Sequence, residues 1–218
     1  MTDTTRWWWI RHDKVHNPEH RLYGQSDIKA IISDAGPYQR LAPSLPPDAL
    51  WISSHLSRTR ETAAALRPHM DALGHNPPEI LQFPEIAEQD FGTWQGMNLP
   101  EIKTHLGDGF DAFWQAPAEA RPPGGESFAD VIARVAEAVG RITDAHAGRD
   151  IIAFAHGGSI RAALAMALDL APGRALSFNI RNLSLTRIDH RIPGELPTSG
   201  LKHPWQVHQV NHLHPEDD

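Results

Sequence analysis

The chain has 218 residues, of which 40% are hydrophobic and 22% charged, with a net charge of −7 when histidine is neutral and no cysteine. That length and balance suit one α/β domain with a sizeable core, and the missing cysteines exclude disulfides, thiolate nucleophiles and Cys-ligated zinc or iron–sulfur centres. The acidic balance argues against nucleic acid as a partner but leaves room for a locally positive pocket that takes a small anion.

The first element is a short buried strand over residues 7–12, because Trp7-Trp8-Trp9-Ile10 is a continuous apolar run. Three tryptophans there read as packing and strand propensity rather than as a stacking platform. Residues 13–27 are loop-like, with Asn17-Pro18 and Tyr23-Gly24 as turn signals. A helix is expected over 33–42, capped by Ser33 or Asp34, then a strand over Ala49–Ser53 and a helix over His55–Leu66. Glu79-Ile80-Leu81 reads as a third strand after Pro77-Pro78.

Residues 84–125 are rich in Gly, Pro and aromatics, including Phe91, Trp94, Phe110, Phe113 and Trp114, with weak periodicity. Such a stretch inside a compact domain reads as an active-site lid or cap. Residues 126–146 return to helical periodicity, with Phe128, Val131, Ile132, Val135, Val139 and Ile142 in one stripe. A strand over 151–155, a helix over 159–169, strands near 176–180 and 183–188, and an edge strand from Trp205 complete the chain. Alternating strands and helices predict a three-layer α/β/α sandwich: one domain over residues 1–218, a mostly parallel sheet, and helices on both faces.

Two histidines stand where chemistry is expected. Arg11-His12 closes the first strand, and His156 follows Ile151–Ala155 and precedes Gly157-Gly158-Ser159 and an alanine-rich helix. Open α/β sheets bind ligands beyond the carboxyl ends of their strands, which is a poor place for core residues and a good one for a crevice. Arg11 and Arg58 offer planar forks that match phosphate oxygens, and the backbone N–H groups at Gly157 and Gly158 face an anion at a helix start. An imidazole at His12 can attack phosphorus while neutral on one nitrogen.

Five motifs in order carry a family resemblance. They are Arg11-His12-Asp13; Ser54 to Ala63, containing Arg58 and Thr62; Glu88 to Gly96, containing Phe91-Gly92 and Trp94; Pro123-Gly124-Gly125-Glu126-Ser127; and Ala155-His156-Gly157-Gly158. Together with Tyr23-Gly24-Gln25-Ser26-Asp27, they make the chain resemble the phosphoglycerate-mutase-like branch of the histidine phosphatase superfamily, from residue 7 to about 211. The resemblance implies a phosphoglycerate-mutase-like fold and a phosphohistidine at His12. It implies a pocket completed by Arg11, Arg58 and His156, Glu88 as acid and then base, and Gly24, Gln25 and Gly157 against the substrate. It implies no cofactor and no metal, the arginines supplying the positive charge.

Within that frame the expectation is a phosphatase acting on small phosphate monoesters, since the segment from Gly96 to Pro123 is short for a mutase of this branch and the Pro-Gly-Gly-Glu-Ser run resembles the phosphatase subgroup that includes α-ribazole phosphatase. Mutase-type transfer and a non-catalytic phosphate- or phosphopeptide-binding module stand as alternatives. Asp13 keeps the last one open, because it replaces a small residue beside an anion pocket; the favoured reading is an outward carboxylate capping a turn. Arg60 and Glu85 are the nearest rivals of Arg58 and Glu88, and His208, His212 and His214 have only a loosely metal-like spacing. No apolar leader follows Met1 and no stretch approaches bilayer length, so a cytoplasmic protein without a membrane partner is expected, its oligomeric state open and a dimer included.

Overall fold

The protein is described by a computed structural model covering residues 4–107, 109–191 and 203–214; of residues 112 and 114 it describes the backbone alone. Six strands form one sheet: β1 (Thr4–Arg11), β2 (Leu50–Ser53), β3 (Leu81–Gln82), β4 (Asp150–Ala155), β5 (Leu185–Arg191) and β6 (Trp205–His212). Their order is β3-β2-β4-β1-β5-β6. Only β5 runs against its neighbours; the other five strands share one direction. The helices are α1 (Gly36–Leu41), α2 (Ser57–Ala72), α3 (Leu99–Leu106), α4 (Gly109–Gln115), α5 (Phe128–Ala145), α6 (Gly157–Leu168) and α7 (Pro172–Ala175).

Strand alternation explains the two cores. Trp7 and Trp9 on β1, Leu50 and Ile52 on β2, and Ile151, Ala153 and Ala155 on β4 face one side, where they pack with the apolar stripes of α5 and α6. Ile10, Trp51, Ile152 and Phe154 face the other side, against Tyr38 of α1 and Ala63, Leu66 and Met70 of α2. Successive side chains of a strand point to opposite faces, so a continuous apolar run is what a sheet covered on both faces requires. Trp7 and Trp9, two residues apart, stack with ring centroids 5.1 Å apart. Trp8 lies between them on the opposite face, with Arg187 over its ring and its Nε1–H donated to Asp150.

α5 starts where Ser127 and Asp130 exchange bonds in a capping box, and it buries Phe128, Val131, Val135, Ala138, Val139 and Ile142. The segment 84–125 carries two helices, α3 and α4, the first capped reciprocally by Asn98 and Glu101.

Several boundaries differ from expectation. The helix foreseen over 33–42 is the shorter α1, extended by a 3₁₀ turn over Ala42–Ser44, with the Asp34 carboxylate accepting the Gly36 N–H. α2 runs on past Leu66 to Ala72 and carries Pro68 inside it. The third strand shrinks to Leu81–Gln82. The strand foreseen near 176–180 does not form: the chain there leaves α7 as an irregular segment. Its carbonyls face side chains instead of a ladder, Phe178 accepting from Arg161 Nε and Ile180 from Arg11 Nη1, and the place beside β1 is filled by β5.

The indole N–H of fully buried Trp7 donates to Thr143 Oγ1 of α5 at 3.0 Å, joining sheet to helix inside the core. Thr143→Val keeps the shape and removes the acceptor, so urea unfolding is expected to show a loss of about 1–3 kcal/mol from the stranded donor.

Candidate active site

β1 and β4 end together. Arg11 pairs with Ala155 in the parallel register, and the next backbone N–H, that of His12, donates to the Ala155 carbonyl at 3.0 Å. His12 and His156, each the first residue beyond its strand, therefore emerge side by side, with ring centroids 5.2 Å apart and no solvent exposure. A turn near Leu183, whose φ is +58°, hooks back over this end. Its backbone N–H donates to the Arg11 carbonyl and Asn182 Nδ2 donates to the His12 carbonyl at 2.7 Å.

The tautomer of His12 follows from its partner. Nδ1 lies 2.6 Å from the Asp13 carbonyl oxygen, which can only accept, so Nδ1 carries the proton. Nε2 then presents a lone pair, and this buried atom has no hydrogen-bond partner. Burial, with Arg58 and Arg11 nearby, holds the ring's pKa well below the ordinary histidine value. The ring is thus neutral, oriented and nucleophilic at Nε2.

His156 is fixed by a longer chain. Its Nε2 lies 2.7 Å from Ser54 Oγ, which lies 2.9 Å from Thr59 Oγ1, which donates to the Leu56 carbonyl at 2.8 Å. A carbonyl terminates the chain, so each hydroxyl donates onward and Nε2 of His156 is the protonated nitrogen. Its Nδ1 accepts from Arg58 Nε at 3.3 Å, consistent with that assignment. Burial first, then Arg58, His12 and Arg11, push its pKa well below the ordinary value.

The arginines surround both rings. Arg58 is fully buried; its terminal nitrogens donate to the Ser26 carbonyl at 2.8 Å and the Gly24 carbonyl at 2.6 Å, and its guanidinium sits 5.0 Å from the Tyr23 ring centroid. Its rival Arg60 is exposed and donates to Ser57 Oγ. Arg11 gives Nη1 to the Ile180 carbonyl at 2.5 Å, while its Nε is buried without a partner. An unpartnered donor on Arg11 and an unpartnered acceptor on adjacent His12 are the kind of buried polar atoms that call for a ligand.

Asp13 does not face this crevice, and it does not face solvent either. Its carboxylate is buried, accepting from Tyr38 OH at 2.8 Å and from the Lys14 N–H at 2.7 Å, while its own N–H donates to Thr62 Oγ1. The expected turn cap is present in the Lys14 bond; the outward placement is corrected to an inward one, under α1. Burial and the Asp13 bond push the Tyr38 hydroxyl pKa upward, keeping it a donor.

Glu88 reaches the crevice from the opposite side. Its Oε1 accepts from the Gly158 N–H at 2.9 Å and the Gln89 N–H at 3.0 Å, so the carboxylate caps the start of α6. The approach is close: a Cβ on Gly158 would lie 2.0 Å from Oε1 and would displace the carboxylate from this position. Arg134 of α5 braces this segment, donating to the carbonyls of Glu85, Ala87 and Glu88 while Glu126 holds it through two bonds of 2.8 Å. Gln25 Nε2 donates to the Glu88 carbonyl at 2.9 Å. Glu85, the rival carboxylate, is engaged by Arg141 at 2.6 Å.

Arg11, His12, Arg58, Glu88, His156 and Gly157 are thus brought to one place, with Gly24 and Gln25 behind Arg58 and Glu88. Sequence reasoning gave Ser54, Thr59, Asn182 and Arg134 no role. Ser54, Thr59 and Glu126 lie inside the motifs, but their partners are set by the fold. The C-terminal histidines do not gather: His208 pairs with Asp189 at 3.1 Å, and among the described residues no group of three or more His, Asp or Glu side chains is arranged to hold a metal ion. No helix among them is long and apolar enough to cross a membrane. Beyond Glu88 and Gly158 opens a cavity of about 220 Å³, walled by Phe91, Trp94, Phe113, Phe128 and Leu176 with Arg161 at one side. Trp114, expected to help line the lid, has a side chain outside the described residues.

A model of the histidine phosphatase superfamily (branch 1) matches residues 7–195. A 2,3-bisphosphoglycerate-dependent phosphoglycerate mutase 2 from Gloeobacter violaceus is 28% identical over 193 residues, 85% of each chain. A metal-independent phosphoserine phosphatase from Arabidopsis thaliana is 29% identical over 161 residues, 70% of this chain and 64% of that one, just under two thirds of its length. The solved structure of Bacillus stearothermophilus YhfR is similar with a TM-score of 0.78 at 27% identity, covering 96% of this chain and 98% of the other.

The two buried histidines tie stability to pH. Their folded-state pKa values lie well below 6.5, so below about pH 6.5 the unfolded chain binds more protons than the native one. Stability is full above that pH and falls as pH drops toward the folded-state values, by up to about 1.4 kcal/mol per pH unit for each ring. Urea unfolding between pH 7.5 and 5 measures the slope, and His156→Asn should remove roughly half of it; a profile as flat in the native protein as in the variant refutes the assignment.

Proposed function

The chain belongs to the histidine phosphatase superfamily, and from that premise we propose that it is a phosphatase that hydrolyses small phosphate monoesters through a phosphohistidine on His12. The observation that carries this reading is the buried, partnerless lone pair of His12 Nε2 beside the partnerless N–H of Arg11. In the first step Nε2 attacks phosphorus, the P–O bond to the leaving alcohol breaks, and Glu88 as a carboxylic acid gives its proton to that oxygen. In the second, Glu88 as carboxylate takes a proton from water, the water oxygen bonds to phosphorus, and the P–N bond breaks, returning the pair to Nε2 and releasing phosphate.

The phosphoryl oxygens meet Arg11, Arg58 and the Gly157 N–H at the start of α6, so the charge that spreads in transfer finds fixed positive groups in a water-poor site. The Asp13 carbonyl supports the cationic, phosphorylated ring by accepting its Nδ1–H. His156 is an acceptor at Nδ1 in this state. It donates to a phosphoryl oxygen only after taking a proton there, which the arriving dianion favours against the two arginines.

Mutase chemistry is the second reading, and the Gloeobacter relative favours it by its name. Matched over 85% of both chains, that relative also removes chain length as a discriminator. The pocket favours hydrolysis. A mutase must hold a phosphoglycerate bearing a carboxylate and a second phosphate, whereas the cavity beside Glu88 offers aromatic walls and Arg161 as its cation.

With an aryl phosphate as substrate, His12→Ala is expected to abolish turnover, and the native protein quenched in denaturant should retain an acid-labile, alkali-stable phosphoryl adduct on His12. Phosphate binding without turnover would sink the enzyme reading in favour of a binding module; transfer between positions of a phosphoglycerate with little free phosphate would favour the mutase. Arg58→Ala should lower kcat/KM by about 10²-fold or more, and Arg60→Ala, on the exposed side of α2, by less than about threefold. Equal losses would show that Arg58 holds structure only.

A further inference from the structure

Resting on the phosphatase reading, we propose that the natural substrates are phosphate esters of aromatic or similarly flat apolar alcohols that carry a carboxylate or carbonyl group, read by Arg161 and Trp94. The cavity beyond Glu88 is where a leaving alcohol must lie, because Glu88 has to reach the ester oxygen and both Glu88 and Gly158 form its inner wall. Its other walls are aromatic and aliphatic side chains, with Gln89 a further polar residue whose amide nitrogen donates to the Glu126 carbonyl. Phe128 and Trp94 are almost fully buried, Trp94 meets Phe113 edge to face at 4.6 Å, and Phe91 and Leu176 close the sides. Such walls stabilise a flat apolar body by burial and edge contacts and offer few partners to a polyhydroxylated one, most of whose hydroxyls lose water without replacement.

Two further donors break the apolar lining. Trp94 Nε1–H is buried with no acceptor. Arg161 lies in the second turn of α6; its Nε is held by the Phe178 carbonyl at 2.8 Å, and its terminal nitrogens donate to no other group among the described residues. Burial pushes its pKa down, with the Glu88 carboxylate opposing that shift, which places the guanidinium within electrostatic reach of the acid at the cleavage point. A cation held at its Nε, partly desolvated and lining the same cavity as an orphaned indole donor matches a carboxylate or carbonyl on the leaving group.

The test compares kcat/KM for 3-carboxyphenyl phosphate, phenyl phosphate and glycerol 1-phosphate. The native protein should prefer the carboxyphenyl ester over phenyl phosphate by about tenfold or more, the effect of one charged hydrogen bond, and phenyl over glycerol phosphate by a similar factor. Arg161→Met should collapse the carboxyphenyl-to-phenyl ratio to near one, Arg161→Lys should restore part of it, and Trp94→Phe, which keeps a ring and deletes the donor, should lower it. Three results overturn the proposal. One is native turnover of glycerol phosphate as good as that of the aryl esters. Another is a carboxyphenyl-to-phenyl ratio near one in the native protein. The third is an Arg161→Met variant that loses all three esters equally with its ratio intact, which would place Arg161 on the phosphoryl group. None of these touches the parent reading, which fails separately if no ester is turned over in a His12-dependent way.

Discussion

Everything at this site depends on the parallel pairing of β1 with β4 in one register. Arg11 lies opposite Ala155, and the bond from the His12 N–H to the Ala155 carbonyl extends the ladder one step past the strand ends. That step brings together two imidazoles that 144 residues separate in sequence and sets them side by side, with ring centroids 5.2 Å apart. A one-residue slip would turn Trp7 and Trp9 to the opposite face and carry His12 off the crevice, so the cost of exchanging two buried indoles guards the catalytic geometry. Core packing and site geometry are therefore one constraint rather than two.

Inside the crevice, neutrality of the rings is what allows the cations to stay. Two imidazoles beside Arg11 and Arg58 would repel them if protonated, and burial together with those arginines keeps both rings uncharged. Each tautomer is then dictated by a carbonyl: the Asp13 carbonyl for His12, and the Leu56 carbonyl, through Thr59 and Ser54, for His156. Backbone acceptors cannot change protonation state, so each tautomer holds for as long as its ring is neutral. Asp13 fits the same logic. Its charge is drawn away from the anion site by Tyr38 and the Lys14 N–H, leaving its carbonyl to orient His12.

Much of this was legible from residues alone. The apolar run Trp7–Ile10, the second run Ile151–Ala155 and the histidines that close them mark the crevice in the sequence itself, because period-two burial and strand-end position are local properties. The same holds for α5, whose stripe and Ser127 cap are written in consecutive residues. The strand expected near 176–180 failed for a non-local reason: Arg161 and Arg11 take the carbonyls of Phe178 and Ile180, and β5 occupies the neighbouring place. Asp13 was misplaced because its partner, Tyr38, lies 25 residues away on a helix whose orientation only the fold supplies. Arg134 escaped notice for the same reason, its acceptors being backbone carbonyls on a different segment.

α6 links chemistry to selectivity. His156 precedes it, the Gly158 N–H in its first turn receives the Glu88 carboxylate, and Arg161 follows within the next turn at the wall of the leaving-group cavity. α6 is packed on α5 and on the sheet, so the N–H that holds the acid and the proposed reader of the leaving group keep a fixed separation. Another wall comes from α4, which contributes Phe113 and none of the catalytic groups. Substitutions there can reshape what the cavity accepts without disturbing the β1–β4 register, whereas any change that tilts α6 must disturb catalysis and selectivity together.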